Sequence, residues 1–533
     1  MITRKNLLYY FIFVLLILPA KNIFAQDLKS DSLALVALYK STNGSNWKNT
    51  WNLTKPLSTW LGVKVSNQRV TELDVFKNNL TGTLPAEIGN LTAIQRFYVD
   101  QNQITGTIPK EIGNLQNAVR IYLSENLFEG TIPVELAKLS KLERLRLFSN
   151  KLTGTIPPEL GNLPTISEIS LDDNKLTGSI PKELANIKNL ISIYVERNQL
   201  TGTIPDEIYT LKNLEVLSVY FNQISGEISP KIGNLSKLQV LFVDGNQMTG
   251  KLPAEIGNLP DLIKIFADNN KFEGTIPTSF GNLKNLKKLY LNNNKFSGTV
   301  PPSLTTLRGL NILSLNDNQF TDLPNFTALD SLEIFNIQNN QFTFEDIEDN
   351  IKINAMNYNQ QDSITLFANN TASADSVRLS VFVGGANNYY RWFRNGVEIQ
   401  NLNRNIINVS SKDAKNGVYR CIIGNAVASL LNISSKTTLL YNSVTAVEKD
   451  SFLDKELAIF PNPTQDFLQI KLADEFLADE SKALIYDLTG RLVHEKTLSI
   501  SDKTLSVSDL AKGTYVLKVI SSKNDWARVF VKE

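Results

Sequence analysis

A fixed interval of 24 residues runs through residues 78–318 of this chain. Glycine recurs at that interval, and an asparagine stands four residues before each glycine. The glycines are Gly82, Gly106, Gly130, Gly154, Gly178, Gly202, Gly226, Gly250, Gly274 and Gly298. The asparagines are Asn78, Asn102, Asn126, Asn150, Asn174, Asn198, Asn222, Asn246, Asn270 and Asn294, and Asn318 keeps the register. A constant period of this size predicts one structural unit stacked on copies of itself, whose long exposed face suits binding better than chemistry.

Each repeat contains one short strand that ends in a turn. In one repeat, Leu217 and Val219 alternate with polar or aromatic neighbours, which is the two-residue period of a strand with one buried face. The asparagine that follows can hydrogen-bond backbone groups of the turn, so the stacked asparagines are expected to form a structural ladder. The glycine then permits a backbone conformation that is closed to other residues.

Residues 200–205 read Leu-Thr-Gly-Thr-Ile-Pro, and close variants of this phrase recur in the other repeats. The phrase resembles that of the plant-type class of leucine-rich repeats, and the resemblance covers residues 67–352. It implies a solenoid with a parallel sheet on the concave face and short convex segments. Residues 26–66, which include a predicted helix and three tryptophans, are expected to cap the first repeat, because an uncapped array would expose its apolar end. The tryptophans could instead form a platform for sugar binding, but packing beneath the cap is the favoured interpretation.

The outward strand positions form the candidate binding face, since the inward positions are committed to the core. Aromatic side chains are frequent there, and contiguous exposed apolar surface suggests a partner. The candidate ligand-binding residues are Phe76, Tyr98, Asp100, Tyr122, Arg146, Phe148, Tyr194, Tyr220, Phe242, Phe266 and Tyr290. The rings could hold a protein ligand or the sugar rings of an extracellular polysaccharide. They could also stack on one another and only stabilise the sheet.

Beyond the repeats the sequence predicts two small β-sandwich domains. Residues 361–441 contain Trp392 and then the phrase Gly-Val-Tyr-Arg-Cys at residues 417–421, a combination that is similar to immunoglobulin-like domains. The partner cysteine of that family is replaced by Val381, so the domain lacks the disulfide. Cys421 is therefore expected to be a buried apolar residue.

The second predicted sandwich, at residues 457–533, follows a predicted linker at residues 442–456. It contains Pro-Asn-Pro, Asp-x-x-Gly-Arg, Gly-x-Tyr and a terminal Val-Phe-Val-Lys in that order. This order is similar to the C-terminal sorting domain of the type IX secretion system of certain Gram-negative bacteria. The resemblance implies that residues 457–533 contact the type IX secretion machinery and direct the chain across the outer membrane.

Residues 1–25 are expected to be a signal peptide. Basic residues there precede an apolar run from Leu7 to Leu18, which is too short for a bilayer span of about twenty residues. The mature chain is therefore expected to have no transmembrane segment, and the protein is expected to be secreted or held at the outer cell surface.

Charge and residue usage disfavour several functions. The formal net charge is +1, which provides no electrostatic attraction to nucleic acid. His494 is the only histidine and Cys421 the only cysteine, so a Ser-His-Asp site and the usual zinc sites are not expected, nor is any cofactor. The predicted function is recognition of, or adhesion to, an extracellular protein by a protein that is not an enzyme. Polysaccharide binding by the same aromatic residues is the alternative, and a carboxylate-dependent hydrolase is the least favoured one.

Overall fold

The computed structural model describes residues 28–370, 376–410, 413, 417–436, 438–439, 457–460, 464–472, 481–487, 492–499, 502–520 and 525–532. The predicted signal peptide at residues 1–25 and the predicted linker at residues 442–456 lie outside the described residues. The chain divides into two compact units. The first contains the described residues up to Phe320, Pro324–Ile337 and Ala355–Asn357, and the second contains the remainder.

The first unit is built on one main sheet of 14 strands. Its first two strands are antiparallel, and the others pair in parallel with a shift of one repeat, as Ile193 does with Leu217. The strands are Val63–Ser66, Arg69–Asp74, Arg96–Tyr98, Arg120–Tyr122, Arg144–Arg146, Glu168–Ser170, Ser192–Tyr194, Val216–Ser218, Val240–Phe242, Lys264–Phe266, Lys288–Tyr290, Ile312–Ser314, Ile334–Asn336 and Met356–Asn357. This sheet confirms the predicted leucine-rich repeat solenoid.

Each repeat leaves the main sheet through a turn and returns through a short 3-10 helix. The turns contribute short flank strands at Thr81–Thr83, Gln103–Thr107, Leu127–Thr131, Lys151–Thr153, Ser225–Gly226, Gln247–Met248, Glu273–Gly274, Lys295–Thr299 and Gln319–Asp322. The 3-10 helices are Ala86–Asn90, Lys110–Asn114, Val134–Lys138, Pro158–Asn162, Lys182–Asn186, Asp206–Thr210, Pro230–Asn234, Ala254–Asn258, Thr278–Asn282 and Pro302–Thr306. At the glycine of the turn, conformation and space both matter: Gly130 has φ of 77°, and a Cβ there would lie 2.9 Å from Cγ2 of Thr107.

The asparagines bind the backbone of two successive repeats. In Asn222, Nδ2 donates to the carbonyls of Val195 and Val219 at 3.0 Å each, and Oδ1 accepts from the amide of Leu200 at 2.9 Å. The same set of contacts recurs for the asparagines from Asn126 to Asn318. Each side chain therefore satisfies buried backbone groups of its own turn and of the preceding turn, which water cannot reach.

The N-terminal end of the solenoid is closed by a helix over residues 28–41 and by 3-10 helices at Gly44–Asn46 and Leu57–Thr59. Trp47, Trp51 and Trp60 lie beneath them with 4% of each side chain exposed. Their rings pack on one another, with centroids 4.7 and 4.9 Å apart. The tryptophans therefore seal the first repeat and offer no surface for a sugar ring.

The C-terminal end of the main sheet lies beyond the predicted boundary at residue 352. A strand is present at Ile334–Asn336, and a further strand, Met356–Asn357, pairs with it. Between these strands in the sequence, the helix Phe344–Glu348 begins with a capping box at Thr343. The repeat phrase is absent from this segment, so the periodicity alone missed the last strand.

The second unit contains two β-domains. In the first of them, one sheet consists of Leu366–Asn370, Ser376–Val381 and Ile406–Ser410, and another of Val397–Ile399, Asn388–Arg394, Val418–Asn425, Asn432–Ser434 and Thr438–Leu439. Trp392, Val381 and Cys421 are fully buried, and the Tyr419 hydroxyl donates to the carbonyl of Asp413 at 2.7 Å. These sheets and this tyrosine corner support the immunoglobulin-like prediction.

The C-terminal domain also has two sheets. One consists of Leu457–Phe460, Phe467–Leu472 and Thr504–Ser506, and the other of Leu492–Leu498, Ser481–Tyr486, Gly513–Ile520 and Asp525–Lys532. Leu468, Ile485, Leu517 and Phe530 are fully buried in the core of this domain. The described residues therefore form the small β-domain that was predicted, whereas its Pro-Asn-Pro and Gly-Arg motifs lie outside them.

Candidate functional site

Two columns of side chains define the solvent-facing surface of the main sheet, which we call the concave face. The aromatic column stands four residues before the ladder asparagines and consists of Asp74, Tyr98, Tyr122, Arg146, Ser170, Tyr194, Ser218, Phe242, Phe266, Tyr290 and Ser314. The acidic column stands two residues before them and consists of Phe76, Asp100, Ser124, Phe148, Asp172, Glu196, Tyr220, Asp244, Asp268 and Asn292. The residues that alternate with the columns, such as Phe97 and Val99, are fully buried in the core, so the column positions lie on the other side of the sheet.

Three predicted site residues form a first aromatic cluster near the N-terminal end of the face. The rings of Tyr98 and Tyr122 are stacked with centroids 4.7 Å apart, and the Arg146 guanidinium carbon lies 4.5 Å from the centre of the Tyr122 ring. Arg146 also donates to Glu168 at 2.6 Å, which holds the guanidinium over the ring. Beside this cluster, burial raises the pKa of Asp100 to about 6.

A second aromatic cluster lies further along the face. Phe266 is 4.6 Å from Phe242 and 4.4 Å from Tyr290 between ring centroids, and Tyr220 meets Phe242 edge-on at 6.0 Å. Phe221, which was not among the predicted site residues, extends the cluster and is 47% exposed. Phe221 stands one residue before the ladder asparagine, where φ is positive and the chain has left the strand. The alternation of inward and outward side chains in a strand therefore did not predict its exposure.

The other predicted aromatic residues join neither cluster. Phe76 is exposed and Phe148 is half-buried, and within residues 28–370 no aromatic ring packs on either of them. Tyr194 also has no ring contact within that range, because its neighbours in the sheet are Ser170 and Ser218. The face therefore has two aromatic clusters and a gap between them.

Two carboxyl groups lie near this gap: Glu196 is within it, and Asp244 is beside the second aromatic cluster. Glu196 and Asp244 are each 8% exposed, and burial raises the pKa of each to about 7. Glu196 Oε2, Asp244 Oδ1 and the hydroxyl of the fully buried Ser218 have no hydrogen-bond partner in the described part of the chain. Ser218 lies near enough to Glu196 to favour its ionised form, although the two do not meet in hydrogen-bonding geometry.

The neighbouring polar groups differ from these three. Ser170 donates to Asp172 at 2.7 Å, so the equivalent serine two strands earlier is satisfied. Arg197 is the basic residue that acts to lower the pKa of Glu196 and of Asp244. Its guanidinium carbon lies over the rings of Tyr220 and Phe221, 5.5 and 4.9 Å from the ring centres. No salt bridge joins Glu196 or Asp244 to a basic residue within residues 28–370.

Other features of the described residues do not add a site. A hollow of about 370 Å³ lies where the strands begin and is lined by residues such as Ile191, Glu215 and Lys237, none of which was a predicted site residue. Among the described residues, no group of histidine, cysteine and carboxylate side chains is arranged to hold a metal ion. No helix among those residues has the length and apolar character that crossing a membrane requires.

Two family models match the chain. The model of the leucine-rich repeat matches residues 69–91, 141–163, 213–235, 237–259 and 285–307, and that of the secretion system C-terminal sorting domain matches residues 458–533. The chain is therefore a leucine-rich repeat protein that carries a type IX sorting domain. A sorting domain of this kind implies export by the type IX machinery to the cell surface or out of the cell.

Several solved structures resemble the chain. The structure of PEPR1 with AtPEP1 is 30% identical with a TM-score of 0.56, and the match covers 62% of this chain and 52% of that one. A leucine-rich repeat protein of Leptospira interrogans is also 30% identical, with a TM-score of 0.37, and the match covers 52% of this chain and 80% of that one. The Arabidopsis receptor kinase HAESA with the peptide hormone IDA and SERK1 is 25% identical with a TM-score of 0.49, and the match covers 58% of each chain. This chain thus spans just over half of the length of the PEPR1 and HAESA chains that it matches.

Proposed function

We propose that the chain is an exported binding protein whose concave face recognises a segment of an extracellular protein. The observation that carries this proposal is the pair of half-buried aromatic clusters with carboxyl groups between them, on one continuous sheet. Strands about 4.8 Å apart make a face roughly 50 Å long, which exceeds the need of a standard interface of about 800 Å² per partner. The PEPR1 structure, which contains AtPEP1, is consistent with such a role for this fold.

The geometry of the rings favours a protein ligand over a polysaccharide. A sugar stacks on the flat face of an exposed ring, but Tyr98 and Tyr122 cover each other's faces, and Phe266 is tilted by 46° and 59° against its neighbours. Ring edges and half-exposed rings suit apolar and hydrogen-bonding side chains of a protein partner. The immunoglobulin-like domain would then space the solenoid from the sorting domain, which addresses the chain to the secretion machinery.

The test is a binding screen of the purified chain, residues 26–533, against random peptides, extracellular proteins and a glycan array. Replacing Tyr98, Tyr122 and Tyr290 together by alanine should weaken protein or peptide binding by roughly tenfold or more, because buried aromatic side chains dominate interface energies. Phe467→Ala removes an exposed aromatic side chain in the sorting domain and should leave binding unchanged. Saturable glycan binding that the triple substitution removes would instead establish the polysaccharide alternative, and binding that survives the triple substitution would move the site off this face.

A further inference from the structure

A third column of side chains borders the aromatic column where the strands begin, six residues before the ladder asparagines. Beside the second aromatic cluster this column contains Lys264 and Lys288, which are paired in register on adjacent strands. Both lysines are half-buried, and each stands two residues before a ring, that of Phe266 or of Tyr290. Residues two apart in a strand lie on the same side of the sheet, about 7 Å from each other. The second cluster therefore has a pair of lysines along one edge.

The two lysines have no counter-charge within the chain. Among the described residues, neither Lys264 nor Lys288 forms a salt bridge. Their neighbours in the same column are Val240 and Ile312, which carry no charge. Like charges directly opposite one another on adjacent strands repel and destabilise the sheet. An anion that lies across both lysines would remove this repulsion.

The same column is different beside the first aromatic cluster. Three arginines stand there on consecutive strands, and the outer two form salt bridges. Arg96 pairs with Glu72, and Arg144 lies 3.8 Å from Glu168. The middle one, Arg120, is favoured as a cation by a neighbouring tyrosine hydroxyl, which raises its pKa. The chain thus supplies partners for the basic residues of the first cluster and none for the lysine pair of the second.

The opposite edge of the second cluster is acidic. Asp268 stands four residues after Lys264, so the two side chains are separated by the Phe266 ring and by about 13 Å along the strand. Salt screens charges at that separation, since the screening length is about 8–10 Å at physiological ionic strength. Asp268 therefore leaves the lysines available, and a ligand on the rings meets positive charge at one edge only.

We propose that Lys264 and Lys288 bind the side-chain carboxylate of one aspartate or glutamate of the protein ligand, while apolar side chains beside it pack on Phe266 and Tyr290. This inference rests on the proposed function. A carboxylate has two oxygens and can accept one hydrogen bond from each ammonium group. The strands that carry the lysines are about 4.8 Å apart, and the flexible lysine stems let both ammonium groups turn towards one anion. Hydrogen bonds between two charged groups are about twice as strong as those between neutral groups.

The test uses the purified chain, residues 26–533, and a library of random peptides with amidated C-termini. We expect the selected peptides to share one aspartate or glutamate at a constant position next to apolar residues. Replacing that residue by asparagine or glutamine keeps its shape, removes its charge and should weaken binding by about tenfold. The substitutions Lys264→Gln and Lys288→Gln, made together, should weaken binding of the acidic peptide to the same degree and leave binding of the neutral peptide unchanged.

The matched control is the pair Lys110→Gln and Lys182→Gln. It removes two exposed charges on the 3-10 helices and so changes the net charge equally, but it should leave binding of both peptides unchanged. Raising the salt concentration from about 0.05 to about 0.5 M should reduce the difference between the acidic and the neutral peptide.

The outcomes separate this inference from the proposed function. If peptides bind without a constant acidic residue, or if the Lys264 and Lys288 double variant still prefers the acidic peptide, the inference is overturned and the proposed function stands. If peptides with a free C-terminus bind and amidated ones do not, the carboxylate belongs to the chain terminus, which also overturns the inference. If neither peptides nor proteins bind the parent chain, the proposed function fails and the inference falls with it.

Discussion

Replacing Asp244 by asparagine should make the protein more stable at about pH 8 and leave its stability unchanged near pH 4. Burial raises the pKa of this carboxyl group from its ordinary value of 3.8 to about 7, the negative charge of Asp268 adds to the shift, and Arg197 opposes it. Because the pKa is higher in the folded state than in the unfolded state, the folded state binds the proton more tightly between these two values. The contribution of this group to folding stability is therefore greatest below pH 3.8, falls as the pH rises towards about 7, and stays reduced above it.

The size of the effect follows from the shift. The difference between 3.8 and about 7 is about 3 pH units, which corresponds to at most about 4 kcal/mol. The carboxyl group is only 8% exposed, but the charge of Arg197 and local relaxation around the buried carboxylate reduce the cost, so we expect about 1–2 kcal/mol. Asparagine keeps the shape of the side chain and carries no charge at any pH. The free energy of unfolding of the variant should therefore exceed that of the parent by this amount at about pH 8.

Urea unfolding of the full chain, followed by circular dichroism at several pH values between about 4 and 8, measures this difference. Asp261→Asn removes an exposed carboxyl group and should change stability by less than about 0.5 kcal/mol at every pH. If Asp244→Asn is less stable than the parent at about pH 8, the carboxylate must have a stabilising partner and the reasoning is wrong. A gain that is equal at all pH values would show that charge is not its cause.

Other substitutions and reagents test the remaining parts of the structure. Asn222→Ala leaves the buried Leu200 amide without its partner, whereas the carbonyls of Val195 and Val219 each keep one hydrogen bond, from Asn198 and Asn246. It should lower the free energy of unfolding by about 1–3 kcal/mol, with faster hydrogen exchange in the adjoining turns. Gly130→Ala should lower it by about 1–3 kcal/mol in urea unfolding. Gly396→Ala, where φ is 82° and nothing lies within 4 Å, should lower it less, because only the conformational strain remains. Burial raises the pKa of Cys421 to about 12, so its thiol should resist alkylation at about pH 8 until the protein is unfolded, as mass spectrometry would show.

The regular part of this protein was determined by its sequence alone. Each repeat has the same local structure: a strand with alternating inward and outward side chains, an asparagine that closes the turn, and a glycine with positive φ. Because each repeat contacts only its neighbours, a local pattern is enough to specify the solenoid, its sheet register and its columns of outward side chains. Where the pattern ended, after Asn336, the sequence no longer indicated the last strand, Met356–Asn357.

The character of the concave face was decided by tertiary structure. Tyr194 and Phe266 occupy equivalent positions in the repeat, yet only Phe266 lies in a cluster, because ring contacts depend on the side chains of the two neighbouring strands. Glu196 and Asp172 are likewise equivalent in sequence, but Asp172 accepts a hydrogen bond from a serine and one oxygen of Glu196 has no partner. Burial and hydrogen bonding between strands are properties of the assembled sheet, so the buried, unpartnered hydroxyl of Ser218 became visible only when neighbouring repeats were placed side by side.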